Sequence, residues 1–336
     1  MRIEPQVYDV ADIFGELVTA RPFVAPTPVV SHFLDIPLLR GDEVPHAPHI
    51  AATAQPWPGP VALYQSSTDA NYQVSKIIGS RSTMGVTHTP MTFSSTGVFD
   101  RGAVLDVELI NGNLSSVSEE ALLSGANMAA IGDGSSDQWE IFQFAEAELI
   151  GPRRYWLKTR LRGQAGSDGL MPGVWPAGSK FVLLDGIPEQ IELSPNLRRV
   201  AQNFRIGPAK RSNDDPSYRH LVQAFDGNGL RPYSPCHLRG EKLHSGDYAL
   251  SWIRRTRLDG DGWDAPEVPL GEESESYLVR VGQGAAVVRE TLVSTPSWQY
   301  TAAVKVADGV IGPFDVAVAQ VSATYGTGLF DQVRLG

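Results

Sequence analysis

The sequence predicts a mainly β protein with few short helices. Glycine and proline are both frequent, with 33 and 24 residues in a chain of 336, so the chain turns often. At the same time 42% of the residues are hydrophobic, which is enough for sizeable cores and argues against disorder. Short stretches of alternating apolar and polar residues lie between the turns, and this pattern is typical of strands.

Residues 1–30 are expected to form a helical and extended segment. Residues 7–19 carry apolar side chains at helical spacing, and a proline-rich stretch follows at residues 21–28. Residues 31–188 are expected to form the first β domain. Its strands are predicted at residues 33–39, 61–66, 72–78, 83–86, 103–110, 127–131, 139–150, 155–161 and 180–184, with a helical turn at residues 116–124 and a loop that holds His46, Pro48 and His49.

The hairpin at residues 139–161 is the most distinctive part of this domain. Its first strand is largely apolar on both faces, which indicates burial between two layers. Gly151 and Pro152 form the turn. The returning strand presents one face through alternate residues, namely Tyr155, Leu157, Thr159 and Leu161.

Residues 189–235 are expected to connect the first domain to a second domain at residues 236–336, with a bridging strand pair at residues 190–207. In the second domain Tyr248, Leu250 and Trp252 alternate on one strand, so Trp252 is the expected core tryptophan. Turns recur about every ten residues, which is the spacing of a fibronectin type III-like or immunoglobulin-like β-sandwich. Further strands are predicted at residues 277–281, 287–293, 300–306 and 314–321.

Three blocks of sequence carry a family resemblance. The first is WEIFQFAEAELIG at residues 139–151, followed by YWLKTRLRGQAGSD at residues 155–168 and a Gly-Ser-x-Phe-Val-Leu-Leu-Asp element at residues 178–185. The second lies at residues 229–235, 252–257 and 268–272, and the third at residues 56–59 after residues 34–39. Together the blocks span most of the chain. In these blocks the chain resembles the tail-tip hub (host-specificity) proteins of siphophage-type particles. In particular, it resembles the C-terminal part of the large "megatron" baseplate protein of gene transfer agents.

This resemblance implies a hub-type β-barrel at residues 31–188, ahead of the fibronectin type III-like sandwich. It also implies a structural protein of the baseplate or tail tip, which contributes to tail-tip assembly, attachment to the host cell envelope and DNA delivery. The implied partners are two further copies in a homotrimer, other baseplate, hub and distal tail proteins, and the host envelope. Such a protein is made in the bacterial cytoplasm, resides in the tail tip of a virion-like particle and is released by lysis. Family members often carry a glycosidase-like domain upstream, which nothing in this chain matches.

Composition excludes several classes of function. Lys and Arg number 28 and Asp and Glu number 38, so the net charge of 28 − 38 = −10 argues against a nucleic-acid groove. Cys236 is the only cysteine, so no disulfide can form within the chain. No apolar run is long enough to span a membrane, and residues 1–21 lack the pattern of a signal peptide.

No set of residues favours an enzyme, a cofactor or a metal site, so we expect a non-enzymatic protein. His46 and His49 lie in a loop interrupted by prolines and have no further candidate ligands nearby. Residues 259–262 lack the later ligands of a calcium loop and are expected to form a hairpin turn. Glu146 and Glu148 could flank a glycosidic bond, but a solvated strand face is the favoured interpretation.

Arg254, Arg255 and Arg257 form the only basic cluster, and they are the first candidate interface residues. Two interpretations stay open: a solvent-facing strand paired with Glu272 or Glu275, and an ion-pair site between domains or subunits. On a strand, Arg255 and Arg257 would point to one side and Arg254 to the other.

Five tryptophans do not all fall on obvious core faces, and aromatic residues outside cores serve protein interfaces and sugar stacking. Three of these tryptophans, together with the three arginines above, are the candidate interface residues. The alternative to a tail-tip protein is therefore a glycan-binding β-sandwich module that acts at the cell surface. The five are Trp57, Trp156, Trp175, Trp263 and Trp298, of which Trp57, Trp263 and Trp298 are the candidates.

Overall fold

The computed structural model describes residues 28–258 and 268–336. The helix predicted at residues 7–19, the turn at residues 259–262 and Trp263 lie outside these ranges. Within them strands dominate and helices are few and short, so the predicted mainly β class is confirmed. No helix in the two ranges has the length and apolar character needed to cross a membrane.

Residues 28–235 contribute sixteen strands, numbered in chain order. The helical segments here are α1 (Glu119–Leu123) and three short 3₁₀ stretches at Gln164–Leu170, Pro195–Leu197 and Asn228–Leu230. The strands are β1 (Val30–Leu34), β2 (His49–Thr53), β3 (Val61–Ser66), β4 (Gln73–Ile78), β5 (Met84–Thr87), β6 (Met91–Thr92), β7 (Phe99–Asp100), β8 (Leu105–Leu109), β9 (Met128–Gly132), β10 (Trp139–Gly151), β11 (Arg154–Leu161), β12 (Val174–Trp175), β13 (Lys180–Leu183), β14 (Glu189–Gln190), β15 (Gln202–Pro208) and β16 (Arg219–Gln223).

Six of these strands close into a barrel. Their order is β10-β9-β13-β5-β8-β11, and the predicted hairpin pairing of β10 with β11 completes the circle. Phe142, Phe144 and Phe181 are fully buried in one cluster with Leu105 and Leu157. Burying each of these side chains contributes roughly 1.5–3 kcal/mol, and β7 adds to the barrel as a further strand beside β11.

Two sheets pack against each other beside the barrel, in the orders β1-β2-β14 and β16-β15-β3-β4. Phe33, Phe204 and Phe225 meet between them, with ring centroids 4.8 to 5.9 Å apart. The outer side of the first sheet packs on the barrel, where Leu34 and Ile36 join the cluster around Trp139. We call the two sheets the paired-sheet unit.

Residues 189–235, expected as a connector, contribute β14, β15 and β16 to the paired-sheet unit. β15 pairs with β3 and places Ile206 opposite Leu63. Both side chains are fully buried, so this segment is needed to cover the core that β3 begins. The sequence separation of more than 130 residues between the two strands hides this pairing from local pattern analysis.

Two boundaries near the start of the described chain also differ from the prediction. β1 ends at Leu34 and not at residue 39, because the carboxylate of Asp35 binds a distant turn and Pro37 has no N–H for a sheet. His49 was expected in a loop, but it begins β2 and pairs with Leu34.

Residues 236–336 form the second domain, whose strands continue the numbering. The one α-helix in its described part is α2 (Ala302–Ala307). The strands are β17 (Cys236–Lys242), β18 (Tyr248–Ile253), β19 (Tyr277–Gln283), β20 (Ala286–Val293), β21 (Ser297–Tyr300), β22 (Phe314–Ser322) and β23 (Gly326–Leu335).

The second domain is a fibronectin type III-like sandwich, as predicted. A three-stranded sheet, β17-β18-β21, faces a four-stranded sheet, β20-β19-β22-β23. Trp252 is 4% exposed in the shared core and meets Tyr277 edge to face, with ring centroids 5.2 Å apart. The expected role of Trp252 as the core tryptophan is therefore confirmed.

The strand predicted at residues 300–306 is wrong. β21 stops at Tyr300 and α2 follows, because the Thr301 hydroxyl accepts a hydrogen bond from the Val304 amide at 3.2 Å and caps the helix. The segment also contains three alanines, which favour a helix more strongly than its two valines favour a strand.

Candidate functional site

Polar side chains join residues 28–235 to the sandwich across a shared surface. We call it the interdomain seam. Its two junctions are the contacts around Asp168 and those around Tyr325. The seam residues are Asp168, Arg198, Arg199, Asn228, Tyr233, Ser234, Arg255 and Tyr325.

A buried ion pair inside the barrel forms the base of the first junction. The Arg162 guanidinium donates to both Glu140 oxygens, from Nε at 2.6 Å and from Nη2 at 2.8 Å. Trp175 Nε1 donates to Glu140 Oε2 at 2.6 Å, and Arg162 Nη1 donates to the Thr92 carbonyl at 2.8 Å. Neither charged side chain has any solvent exposure, so this geometry is held without competition from water.

The loop after Arg162 carries Asp168 to the surface in a fixed position. Gly163 has φ of 60°, and a Cβ there would lie 2.9 Å from Asp168, so only glycine fits. The Ser167 hydroxyl accepts a hydrogen bond from the Ile141 amide at 2.8 Å and donates to the Gln164 carbonyl at 2.8 Å. These bonds tie the loop to β10.

Arg255 of the sandwich forms an ion pair with Asp168 of the barrel loop. Arg255 Nη1 lies 3.0 Å from Oδ1 and 2.8 Å from Oδ2, and the Ser234 hydroxyl donates to Oδ2 at 3.1 Å. The guanidinium carbon lies 5.3 Å from the Tyr233 ring centroid. The side chains of Arg255 and Asp168 are 28% and 20% exposed, so water screens this pair less than it screens a surface pair.

Tyr325 forms the second junction. It is 8% exposed, and its hydroxyl donates to Asn228 Oδ1 at 2.8 Å. Arg199 donates to the Tyr325 carbonyl and Arg198 to the Thr324 carbonyl, both at 3.0 Å. The two guanidinium groups also lie 5.2 and 5.7 Å from the Tyr325 ring centroid. Burial raises the pKa of the Tyr325 hydroxyl, so it remains a donor at neutral pH.

Asp35 holds the turn that presents Asn228. Its carboxylate accepts backbone hydrogen bonds from Asp226, Gly227 and Asn228 at 2.7 to 2.9 Å. The Asn228 side chain donates back to the Asp35 carbonyl at 2.6 Å. Burial raises the pKa of Asp35 to about 6, and the three N–H bonds act in the opposite direction.

The three arginines singled out by the sequence have different partners. The strand ends at Ile253, so the expected alternation of their side chains does not apply. Arg254 lies 3.5 Å from Glu275 and donates to the Val268 carbonyl at 2.6 Å, within the sandwich. Arg257 pairs with Glu272 at 3.0 Å and also donates to the Gly229 carbonyl at 3.4 Å. Arg255 alone forms an ion pair across the seam.

The structure does not bring the candidate tryptophans together. Trp57 is partly buried and packs on the core of the paired-sheet unit. Trp298 stacks on Tyr300 at 5.3 Å and lies in a groove of about 580 Å³ between β20 and β21. Trp175 and Trp156 were also among the five tryptophans singled out by the sequence. Trp175 is buried in the barrel, and Trp156 is 37% exposed on β11.

The residues considered for catalysis or metal binding are dispersed. Glu148 pairs with Lys158 at 2.7 Å, and Glu146 accepts a hydrogen bond from Thr159. His46 hydrogen-bonds the Leu193 carbonyl at 2.9 Å, while burial lowers the pKa of His49. In residues 28–258 and 268–336, no group of three or more His, Cys, Asp or Glu side chains is placed to hold a metal ion.

The sequence analysis missed most of the seam. Asp168, Ser234 and Tyr325 are isolated polar or aromatic residues in loops, where no periodic pattern marks a role. The Asp-Gly-Asn-Gly stretch at residues 226–229 was interpreted only as a turn. Its short polar residues and glycines were the available signal, because such turns offer backbone N–H groups to a carboxylate.

Comparison with known proteins gives one family match. A family model described as "Rcc01698-like, C-terminal" matches residues 82–182, which is nearly the span of the barrel. No curated protein matches the chain. Among solved structures, the crystal structure of the chicken CNTN1 FN1-FN3 domains matches with 12% identity, 92% of this chain and 99% of that chain covered, and a TM-score of 0.23. At that TM-score the likeness supports no conclusion about fold or function.

Proposed function

We propose that this chain is a structural component of the baseplate or tail tip of a gene transfer agent or siphophage-like particle. The observation that carries the proposal is the match of the barrel, at residues 82–182, to the Rcc01698-like family model, a name that comes from a gene transfer agent-associated family. The sequence blocks at residues 139–151 and 155–168, which carry the hub resemblance, lie within this same barrel.

The seam supports a mechanical role. Asp168, Arg255, Asn228 and Tyr325 are used to bind one unit to the next, and the buried Glu140–Arg162 pair anchors the loop that carries Asp168. Such bonds resist relative movement of the barrel and the sandwich. Two domains joined in this way suit a particle that must hold its parts in position at its tip.

The partners of this proposed role are two further copies in a homotrimer, neighbouring baseplate, hub and distal tail proteins, and the host cell envelope. Its proposed contribution is tail-tip assembly, envelope attachment and DNA delivery, without catalysis by this chain. The acidic charge of −10 suits protein partners better than direct contact with DNA.

The test is the sedimentation of the native chain in a lysate of its producing cells. Fractions from a density gradient are analysed by mass spectrometry, and a lysate from cells that do not make particles serves as the control. We expect the chain to migrate with DNA-filled particles and their tail proteins. Migration only as a free species contradicts the proposal.

A glycan-binding module at the cell surface is the second candidate, because of the groove at Trp298. Ser294, Thr295, Ser297 and Gln299 line it with hydroxyl and amide groups next to the indole. Titration of the purified chain with cell-wall oligosaccharides tests this function. The glycan-binding function is supported if calorimetry detects binding that Trp298→Ala abolishes and Trp156→Ala leaves intact. It is rejected if no heat of binding is detected at millimolar saccharide.

A further inference from the structure

Two strand edges in the paired-sheet unit face each other without pairing. β4 is the last strand of its sheet and pairs with β3 alone. β14 is the last strand of the other sheet. The chain remains hydrogen-bonded to the segment before β2 for one more residue, because the Ile191 amide donates to the Pro48 carbonyl at 3.0 Å. Within the described ranges no strand pairs with the outer edge of either, so both present unused backbone groups.

A groove of about 1060 Å³ lies between these two edges, and we call it the edge groove. Gln73, Val74 and Ser75 of β4 line one wall together with residues 65–68, 70 and 71 at the end of β3 and in the loop that follows it, and residues 190–195 line the other. The link between the two edges is the ion pair of Lys76 with Glu189, in which Nζ lies 2.5 Å from Oε2. Paired strands lie about 4.8 Å apart, whereas these two meet through the ends of long side chains.

β4 has less than the usual protection of an edge strand, because the bulge at Ser75 is its one protective feature that no other side chain engages. Exposed lysines and prolines normally block such edges. β4 has no proline, its only charge is engaged with Glu189, and Val74 and Ile77 are 54% and 51% exposed. Ser75 forms a bulge, and its buried hydroxyl oxygen has no hydrogen-bond partner in the described chain.

The chemistry of the edge groove favours an extended main chain. Backbone N–H and C=O groups along both walls are complementary to a strand, which is how peptides add to sheet edges. Glu192 is the one charged residue among those that line the groove, and none of the lining residues is aromatic. A saccharide would therefore find no ring to stack on, and a charged segment would find little to pair with.

We propose that the edge groove receives an uncharged, proline-free extended segment of a neighbouring tail protein, which adds as a strand beside β4. The nature of the partner rests on the proposed function, whereas the strand geometry does not. The segment would lie between β4 and β14 along the edge groove and join the two packed sheets at that edge.

Hydrogen–deuterium exchange of the native chain in purified particles and free in solution tests the proposal. We expect amides of residues 73–78 to exchange about tenfold or more slowly in the particle. Residues 219–223 of β16, the opposite edge of the same sheet, serve as the internal control and should not change.

A matched pair of variants gives the second measurement. Val74→Lys places a charge in the edge groove, and Val222→Lys places one on the opposite edge, where Val222 is 55% exposed, against 54% for Val74. Both should fold with the urea midpoint of the native chain. We expect Val74→Lys to reduce incorporation into particles by about tenfold or more, as an unpaired buried charge costs over about 1.4 kcal/mol, and Val222→Lys to have no effect.

The outcomes separate the two proposals. A chain that is absent from particles refutes the proposed function. A chain that is present, but whose β4 amides exchange as fast as in the free form, overturns the edge-groove inference alone. Equal incorporation of the two lysine variants also overturns it. Cell-wall oligosaccharides could instead slow amide exchange at residues 73–78 in the free chain. That result would overturn the proposed addition of a partner strand and indicate a glycan site.

Discussion

The ion pair between Asp168 and Arg255 gives the sharpest test of the seam. A double-mutant cycle with Arg255→Ala and Asp168→Ala isolates the coupling between the two side chains from other effects of each change. Exposed pairs couple by about 0.2–1 kcal/mol, whereas breaking a buried pair costs about 3–5 kcal/mol. Because these side chains are 28% and 20% exposed, and one nitrogen contacts both carboxylate oxygens, we expect a coupling of about 1–2 kcal/mol.

The assay is urea unfolding monitored by tryptophan fluorescence, with the coupling taken from the unfolding free energies of the four proteins. The Arg101–Glu119 pair is the control, because its side chains are 61% and 58% exposed and both belong to residues 28–235. Its coupling should stay below about 0.5 kcal/mol. Arg255→Ala should also separate the unfolding of the sandwich from that of the barrel. A coupling at Asp168–Arg255 no larger than that of the control would refute the account of the seam.

Three further predictions follow from the cores and from one histidine. Trp252→Ala should destabilise the sandwich by about 3–5 kcal/mol, against about 1 kcal/mol or less for the exposed Trp156→Ala; a loss below about 1 kcal/mol would contradict the core position of Trp252. Glu140→Gln should cost about 3 kcal/mol in urea unfolding, because the buried Arg162 loses the carboxylate that binds two of its nitrogens and keeps only Asp100, at 3.4 Å. Glu148→Gln on the same strand should cost under about 1 kcal/mol. Burial, Lys180 and Arg219 lower the pKa of His32 from 6.5 to about 4, so the unfolded chain binds more protons between these values. The stability from His32 is therefore complete above pH 6.5 and falls by at most about 3 kcal/mol as the pH drops to 4, and His32→Gln should flatten that slope.

Local sequence patterns were enough to predict a strand where its buried side chains follow a regular apolar pattern. The alternation of Tyr248, Leu250 and Trp252 predicted β18 and its core, and the apolar run at residues 139–150 predicted the long barrel strand β10. Both signals come from a side-chain period that is set by the strand itself. The same kind of signal misled at residues 300–306, where the Thr301 cap and alanines outweighed the valines.

What the sequence could not supply is contact between distant segments. β15 pairs with β3, and the Asp35 carboxylate accepts backbone hydrogen bonds from residues 226–228. In both cases the partners are far apart in the sequence, so no repeating pattern of side chains connects them. The seam has the same character, because Asp168 and Arg255 are ordinary loop residues until the fold places them together. The basic cluster was visible, but which of its arginines would cross the seam depended on where β18 ends.

Immunogold electron microscopy of intact particles tests the central claim most directly. An antibody raised against the sandwich, residues 236–336, would be applied to particles purified from the producing cells, with particles from a strain lacking this gene as the control. The account predicts gold at one pole, at the distal end of the tail. Particles that form normally and carry no gold at the tail tip, with the chain recovered only in the soluble fraction, would contradict it.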